Sequence, residues 1–415
     1  MVLVGDMEAS IPSTPKLFAD TRTLQRLLAT VIEGANTGGE GPIEIEEARL
    51  LAGGGYDWVW LVSCVTKNPF LSNSTEALPS SKFVLREPSE DALLPHQIEN
   101  EVAFLTYIGK NHPSILVPRI YAYETRSDTP FIAMEYIEGT SLNEVWMTYT
   151  ESEKVEMAKD VAAIIVDLAE ITFNGIGGLT LSHTLGPTVE GIKLFRGRDR
   201  FHSAECYDIG PYASTRAYIC ACYEKEIYYY SHASEDEVGG LFESTTKEAF
   251  IASLKFMRNV LTKSASTGLP EEPFVLNHGD CHGRNIMVRE QKIVAVLDWK
   301  FAGSYPLSEV LAGTGVDVVE MVDDEMVDEA WKWSDRIVAL AEEQARARGW
   351  EEEKVGLLVG QGNRELQAAR MEMLPEEYSE ERSEGASDNG LEAVLIDYLD
   401  HGQANVVGDE EKMAW

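Results

Sequence analysis

The chain has 415 residues, with 70 acidic against 35 basic side chains and a formal net charge of −35. A surface of that sign repels phosphate backbones and anionic lipid heads, so nucleic acid and membranes are not expected as partners. Hydrophobic residues make up 44% and charged residues 25% of the sequence, a globular composition long enough for two or three units of about 150 residues. The acid excess serves solubility first, and its field also suits a cationic small molecule.

Five cysteines (Cys64, Cys206, Cys220, Cys222, Cys281) are few, odd in number and without Cys-x-x-Cys spacing, which fits reduced thiols in the cytoplasm. The first residues lack a basic stretch followed by an apolar one, so no signal peptide is expected. The greasiest segment, Val161 to Ile171, is interrupted by Asp167 and Glu170 and is too short to span a bilayer.

Residues 1–45 read as a leader with a helix carrying Leu24, Leu27, Leu28 and Ile32. Gly53-Gly54-Gly55-Tyr56-Asp57 is a turn between apolar runs. Trp58 to Val65, rich in aromatic and β-branched residues, reads as a strand. A polar loop from Lys67 to Ser81 leads to a strand at Phe83-Val84-Leu85-Arg86. Strand, glycine turn, strand, loop, strand predicts an antiparallel sheet rather than a doubly wound one. Leu94 to Ile108 has helical period, and Val117 to Ile120 and Phe131 to Tyr136 read as further strands. A small sheet-and-helix lobe therefore covers residues 46–136. Ile137 to Thr140 forms a hinge, and Ser141 is placed to cap a helix from Leu142.

Residues 137–373 form a larger, mainly helical lobe. Val155 to Ala169, Tyr212 to Ser231, Phe250 to Thr262 and Ser308 to Gly349 read as helices. Between them, Phe274-Val275-Leu276 and Lys292 to Leu297 are short strands flanking a polar loop. Residues 374–415 are an acidic tail, with a solvated linker at 374–390 and a short helix at Leu391 to Leu399.

The polar loop carries the chemistry. It reads Asn277-His278-Gly279-Asp280-Cys281-His282-Gly283-Arg284-Asn285, and Asp298 ends the next apolar run. A carboxylate, an amide five residues on and a carboxylate after the following strand are what phosphoryl transfer asks of a protein. One carboxylate accepts the acceptor's hydroxyl proton, and the amide and second carboxylate hold Mg²⁺ through hard oxygens.

His278-Gly279-Asp280, Asn285 and Asp298-Trp299, in that order and spacing, resemble the aminoglycoside phosphotransferase and choline kinase-like family. The resemblance implies an α+β, two-lobed protein-kinase-like fold with a small antiparallel-sheet N-lobe and a larger, mainly helical C-lobe. It implies ATP and Mg as cofactors and a small-molecule hydroxyl acceptor. It makes Asp280 the base, Asn285 and Asp298 the metal ligands, and His278 the brace of the loop. It also places Gly53, Gly54 and Gly55 over the nucleotide and the Met134-Glu135-Tyr136 backbone at the adenine edge.

The family's basic strand residue falls at Arg86, an arginine where the general kinase pattern has lysine, with Lys82 as the fallback. Its helical glutamate is chosen by geometry. At about 100° per residue, Leu94, Ile98, Leu105 and Ile108 form one stripe; Glu101 lies within it and Glu99 outside. An inward carboxylate needs a cationic partner, and Arg86 is the expected one.

Other signals are bland. Adjacent Cys281 and His282 cannot easily converge on one atom, so a nucleophile or metal pair is not expected there. The segment from Gly186 to Ser231, with Asp199, Asp208, Tyr212, Glu224 and Glu226, lies where relatives place acceptor contacts, and none is singled out. Lys300 stands where many relatives have glutamate, and Ser308-Glu309-Val310 where they often have an Asp-Leu pair. These departures bear on the substrate subgroup. The competing reading is a pseudokinase or nucleotide-binding module, which Arg86 favours and the intact Asp280, Asn285, Asp298 set opposes. Protein phosphorylation lacks support, because no Ala-Pro-Glu segment follows Asp298 before Trp331.

Overall fold

A computed structural model of the protein describes residues 45–53, 56–64, 82–89, 92–125, 129–189, 202–234, 246–263, 269, 271–311 and 316–361. The leader helix, Gly54, Gly55, Asp199 and the acidic tail lie outside the described residues.

The first strands form one antiparallel sheet: β1 (Ile45–Gly53), β2 (Asp57–Cys64), β3 (Lys82–Pro88), β4 (Ile120–Glu124) and β5 (Phe131–Glu135), in the order β1-β2-β3-β5-β4. Side chains alternate along β3 as the pleat requires. Phe83 and Leu85 pack with Trp60, Val62, Phe131 and Ala133 on one face. Val84 faces the other side, against Ile98, Val102, Ile132 and Met134. Period two puts Arg86 on the Val84 face, the face that receives helix α1 (His96–Asn111). Along α1, Ile98, Glu101, Val102, Leu105 and Ile108 are all buried. Leu94 is not part of that stripe: Pro95 sits at the N-cap, the helix starts after it, and Leu94 is 41% exposed. The strand expected at Val117 begins only at Ile120, since Pro118 has no N–H to give a ladder.

After β5 the chain crosses through Gly139, where a Cβ would stand 2.8 Å from the Val288 carbonyl. Strand β6 (Thr140–Ser141) and helix α2 (Leu142–Val145) follow. Ser141 holds the N-cap position of α2 without a side-chain cap bond, and its backbone in β6 pairs with Met287. Helix α3 (Glu151–Ala169) starts a turn before the expected Val155. Thr150 and Glu153 close a capping box, each side chain accepting from the other's backbone N–H.

Short strands β7 (Thr172–Phe173), β8 (Gly178–Leu179) and β9 (Leu185–Gly186) lead to helices α4 (Thr215–His232) and α5 (Lys247–Lys263). Tyr218, Tyr229 and Tyr230 are buried between these helices against Phe250 and Leu254.

The polar loop lies between β10 (Phe274–Asn277) and β11 (Ile286–Arg289), a strand not separated from the loop in the sequence. β11 pairs with β12 (Lys292–Val296) and β6, while β10 lies between β7 and β13 (Gly303–Pro306). The helix expected from Ser308 to Gly349 is shorter. After a 3₁₀ turn at Leu307–Glu309, the β-branched run Val316 to Val319 is not helical, and α6 (Asp324–Ala347) starts where Asp323 accepts from the Met326 N–H at 2.9 Å. α6 packs on α3 through Trp333, Ile337 and Leu340, and α7 (Glu352–Leu358) completes that core.

The architecture is thus α+β in two lobes, a small antiparallel sheet with one helix joined to a larger, mainly helical part bearing a β-hairpin loop. This is the protein-kinase-like arrangement. Among the described residues no helix is long and apolar enough to cross a membrane.

Candidate active site

The loop after β10 is held by its own side chains. His278, 1% exposed, accepts from the Asp280 N–H at Nδ1 (3.2 Å), which leaves Nε2–H to donate to the Leu297 carbonyl (2.9 Å). Burial pushes its imidazole below the ordinary histidine range, consistent with that neutral tautomer. The ring lies edge-on to buried Trp299, with centroids 4.6 Å apart. Gly279 has φ +77, and a Cβ there would collide with the Phe301 carbonyl. Glycine therefore meets both a left-handed backbone and a close approach at this position.

Asp280 is partly exposed, with its Oδ1 3.3 Å from His282 Nε2. Burial works to raise its carboxyl, but the hydrogen bond and charge of His282 outweigh that and hold it below the usual carboxylate range. Asn285 Nδ2 donates to the Asp280 carbonyl (2.8 Å) and to Asp280 Oδ2 (3.2 Å), so the carboxylate and the amide five residues on are in contact. The Leu297 N–H donates to the Asn285 carbonyl at 2.7 Å, tying the loop to the segment before Asp298.

Asp298 has φ 67 and ψ 57, a left-handed conformation that aspartate tolerates better than most residues and that turns the chain sharply after β12. Its Oδ1 accepts from Arg86 Nη2 at 2.9 Å and lies 3.1 Å from Lys300 Nζ. Burial would raise the Asp298 carboxyl; Arg86 and Lys300 overcome it and keep the group ionised, well below the usual range.

Arg86 pairs with Glu101 through Nη1 and with Asp57 through Nη2, as well as with Asp298. The choice of Glu101 over Glu99 agrees with this geometry: Glu101 is 2% exposed and meets Arg86. Burial pushes the Glu101 carboxyl up and Arg86 pulls against it. Lys82, the fallback, is exposed at the start of β3, with its Nζ 6.0 Å from the Tyr136 ring.

Two members of the cluster were not singled out from the sequence. Asp57 appeared only as a turn residue and Lys300 only as a departure; here Lys300 Nζ donates to Asp57 Oδ2 at 2.8 Å. Asn100 is a third. Its Nδ2 donates to the Lys300 and Ala302 carbonyls (3.0 and 2.8 Å), and its Oδ1 accepts from the Leu179 N–H (2.8 Å). A buried asparagine beside an ion-paired glutamate has no periodic signature, so no sequence signal marked it.

The remaining expected residues sit as follows. Gly53 ends β1, where a Cβ would stand 2.6 Å from the Trp58 ring; Gly54 and Gly55 are not described. Met134 is buried in β5. The Glu135 N–H already donates to the Arg119 carbonyl (2.8 Å), and the Glu135 carboxylate accepts from the Arg119 guanidinium, so the Glu135 N–H is not free for a ligand. Tyr136 follows the strand. Burial pushes the Cys281 thiol up to about 12, which argues against a thiolate nucleophile. Tyr212 donates to the Asp208 carbonyl (2.7 Å), Glu224 lies 3.6 Å from Arg258, and Glu226 lies 3.9 Å from Lys225, so these acceptor candidates all have local partners.

The model of the Phosphotransferase enzyme family matches residues 71–350, which contain every member of this site except Asp57 and Gly53 to Gly55. The chain belongs to this family. Among curated proteins, the chain is 35% identical over 111 residues to Altered inheritance of mitochondria protein 9, mitochondrial, of Clavispora lusitaniae. That match covers 24% of the chain and 18% of the relative, so the chain spans under a fifth of the curated protein it matches. Among solved structures it is similar to the streptomycin–ATP–APH(2'')-IIa ternary complex (16% identity, 87% of this chain and 97% of that one, TM-score 0.42). It is also similar to ADP-bound APH(2'')-Ib (14%, 85% and 99%, 0.41).

Proposed function

We propose that this protein is a phosphotransferase that uses ATP and Mg²⁺ to phosphorylate a hydroxyl of a small molecule, with Asp280 as the base and Asn285 and Asp298 as metal ligands. The observation that carries the reading is the contact of Asp280 with Asn285 and of that loop with the turn bearing Asp298. The donor set suits a hard cation. Asn285 spends its Nδ2 on Asp280, which turns the amide oxygen away from the base, and Asp298 is held ionised. When bound, the metal would neutralise charge on the phosphates.

The chain's own groups do the rest. Asp280, kept deprotonated, takes the acceptor's hydroxyl proton as the new O–P bond forms and the bond from the γ-phosphorus to the ADP oxygen breaks. His278 fixes the loop by accepting from the Asp280 N–H, so the carboxylate need not reorganise during transfer. Arg86 fixes Glu101 and Asp298 relative to each other across the two lobes. All five cysteines are free thiols, which supports a reducing compartment such as the cytoplasm.

The test is ADP formation from ATP across a panel of amino-alcohols, sugars and aminoglycosides, with and without Mg²⁺. The reading expects turnover that needs both an acceptor and the metal. ATP binding that is indifferent to Mg²⁺, with no turnover on any acceptor, would favour a nucleotide-binding module instead.

A further inference from the structure

Lys300 lies two residues after Asp298 and is almost wholly buried, at 6% exposure. Its Nζ is 2.8 Å from Asp57 Oδ2 and 3.1 Å from Asp298 Oδ1. It also lies 5.2 Å from the Tyr56 ring centroid and 5.5 Å from that of Phe301, and those two rings meet edge to face at 5.0 Å. Its own carbonyl is held by Asn100. The residue is therefore held at its backbone by Asn100 and at its ammonium head by two carboxylates and two rings.

We propose that Lys300 is a resident cation of the metal site, which holds Asp298 in the nucleotide-free protein and lowers the affinity of that carboxylate for a divalent metal. The inference rests on the proposed role of Asp298 as a metal ligand.

The charge count supports it. Asp57, Glu101 and Asp298 contribute three carboxylates, and Arg86 and Lys300 two cations, all joined by contacts of hydrogen-bond length. With all three carboxylates ionised the group carries one net negative charge, and a dication arriving at Asp298 shares that carboxylate with an ammonium 3.1 Å from it. Removing the ammonium leaves two net negative charges and no competitor at its position, so the metal binds more tightly. Removing Asp57 does the opposite. Lys300 and Arg86 then lose a common anion and fall more fully on Asp298. A lysine whose role is only to stabilise the fold would change the melting temperature without this opposed pair of metal effects. Lys300 also connects the start of β2, at Tyr56 and Asp57, to the turn holding Asp298, so one side chain touches both the metal site and the second strand of the first hairpin.

The experiment is Mn²⁺ binding in the presence of adenylyl imidodiphosphate, read as free Mn²⁺ by electron paramagnetic resonance on the full chain. Lys300→Met should lower the Mn²⁺ dissociation constant about tenfold. Lys300→Arg should stay near wild type, and Asp57→Asn should bind Mn²⁺ several-fold more weakly. Mn²⁺ binding by Lys300→Met that is unchanged or weaker overturns the proposal. If Lys300→Met does not fold, unchanged or tighter Mn²⁺ binding by Asp57→Asn overturns it. Asp298→Asn separates the two layers. If it still binds Mn²⁺ like wild type, the metal reading itself fails. If it has lost Mn²⁺ while Lys300→Met is unchanged, only the role of Lys300 fails.

Discussion

Replacing Arg86 by methionine removes one side chain from three carboxylates at once. Lys300 remains in contact with Asp57 and Asp298, at 2.8 and 3.1 Å, so those two keep a cation. Glu101, 2% exposed, loses its ion-pair partner. Leaving one buried charge unpaired costs about 3–5 kcal/mol. At roughly 1 °C per kcal/mol for a chain of 415 residues, Arg86→Met should melt about 3–6 °C below wild type by calorimetry. The double variant Arg86→Met, Glu101→Gln removes the stranded charge and should recover about 2 kcal/mol or more, which a double-mutant cycle reads directly. An Arg86→Met protein within about 1 kcal/mol of wild type, or a double variant no more stable than the single one, would refute the view that Glu101 depends on Arg86.

The loop makes two further predictions. Burial depresses the His278 pKa in the folded protein, so below about pH 6.5 the unfolded chain binds a proton that the folded one does not. Stability therefore falls as pH drops below that value, by at most about 1.4 kcal/mol per unit, and urea midpoints from pH 7.5 to 5 should show a shallower fall in His278→Gln. An equal slope in both proteins would count against a buried neutral imidazole. Gly279→Ala should lose about 1–2 kcal/mol from the left-handed backbone alone. It should also lower kcat, because the Phe301 carbonyl must move. Gly109→Ala, in the helix with its nearest neighbour 4.0 Å away, should leave kcat unchanged and raise the melting temperature slightly.

Legibility in the sequence followed the number of residues that carry each signal. The loop from His278 to Asn285 was readable because its chemistry is local and its spacing fixed. Glu101 was readable because a helix projects a carboxylate at a computable angle, even though Leu94, one of the four residues used to define the stripe, lies outside the helix. The expected helix from Ser308 failed where a β-branched run and a capping aspartate decide the start, at Asp323. Lys300 and Asp57 were not readable as a pair. They are 243 positions apart, and they meet where the left-handed turn at Asp298 faces the start of β2. Asn100 is equally silent, since its three partners are backbone groups that carry no side-chain identity.

The central claim is that Asp280 accepts the proton of a small-molecule hydroxyl during phosphoryl transfer. Its most direct measurement is transfer of label from γ-labelled ATP to an acceptor found in the panel screen, by wild type and Asp280→Asn at matched nucleotide saturation. The account predicts a fall in kcat of about 10²–10⁴-fold with nucleotide affinity and melting temperature retained. Transfer by Asp280→Asn at the wild-type rate would contradict it.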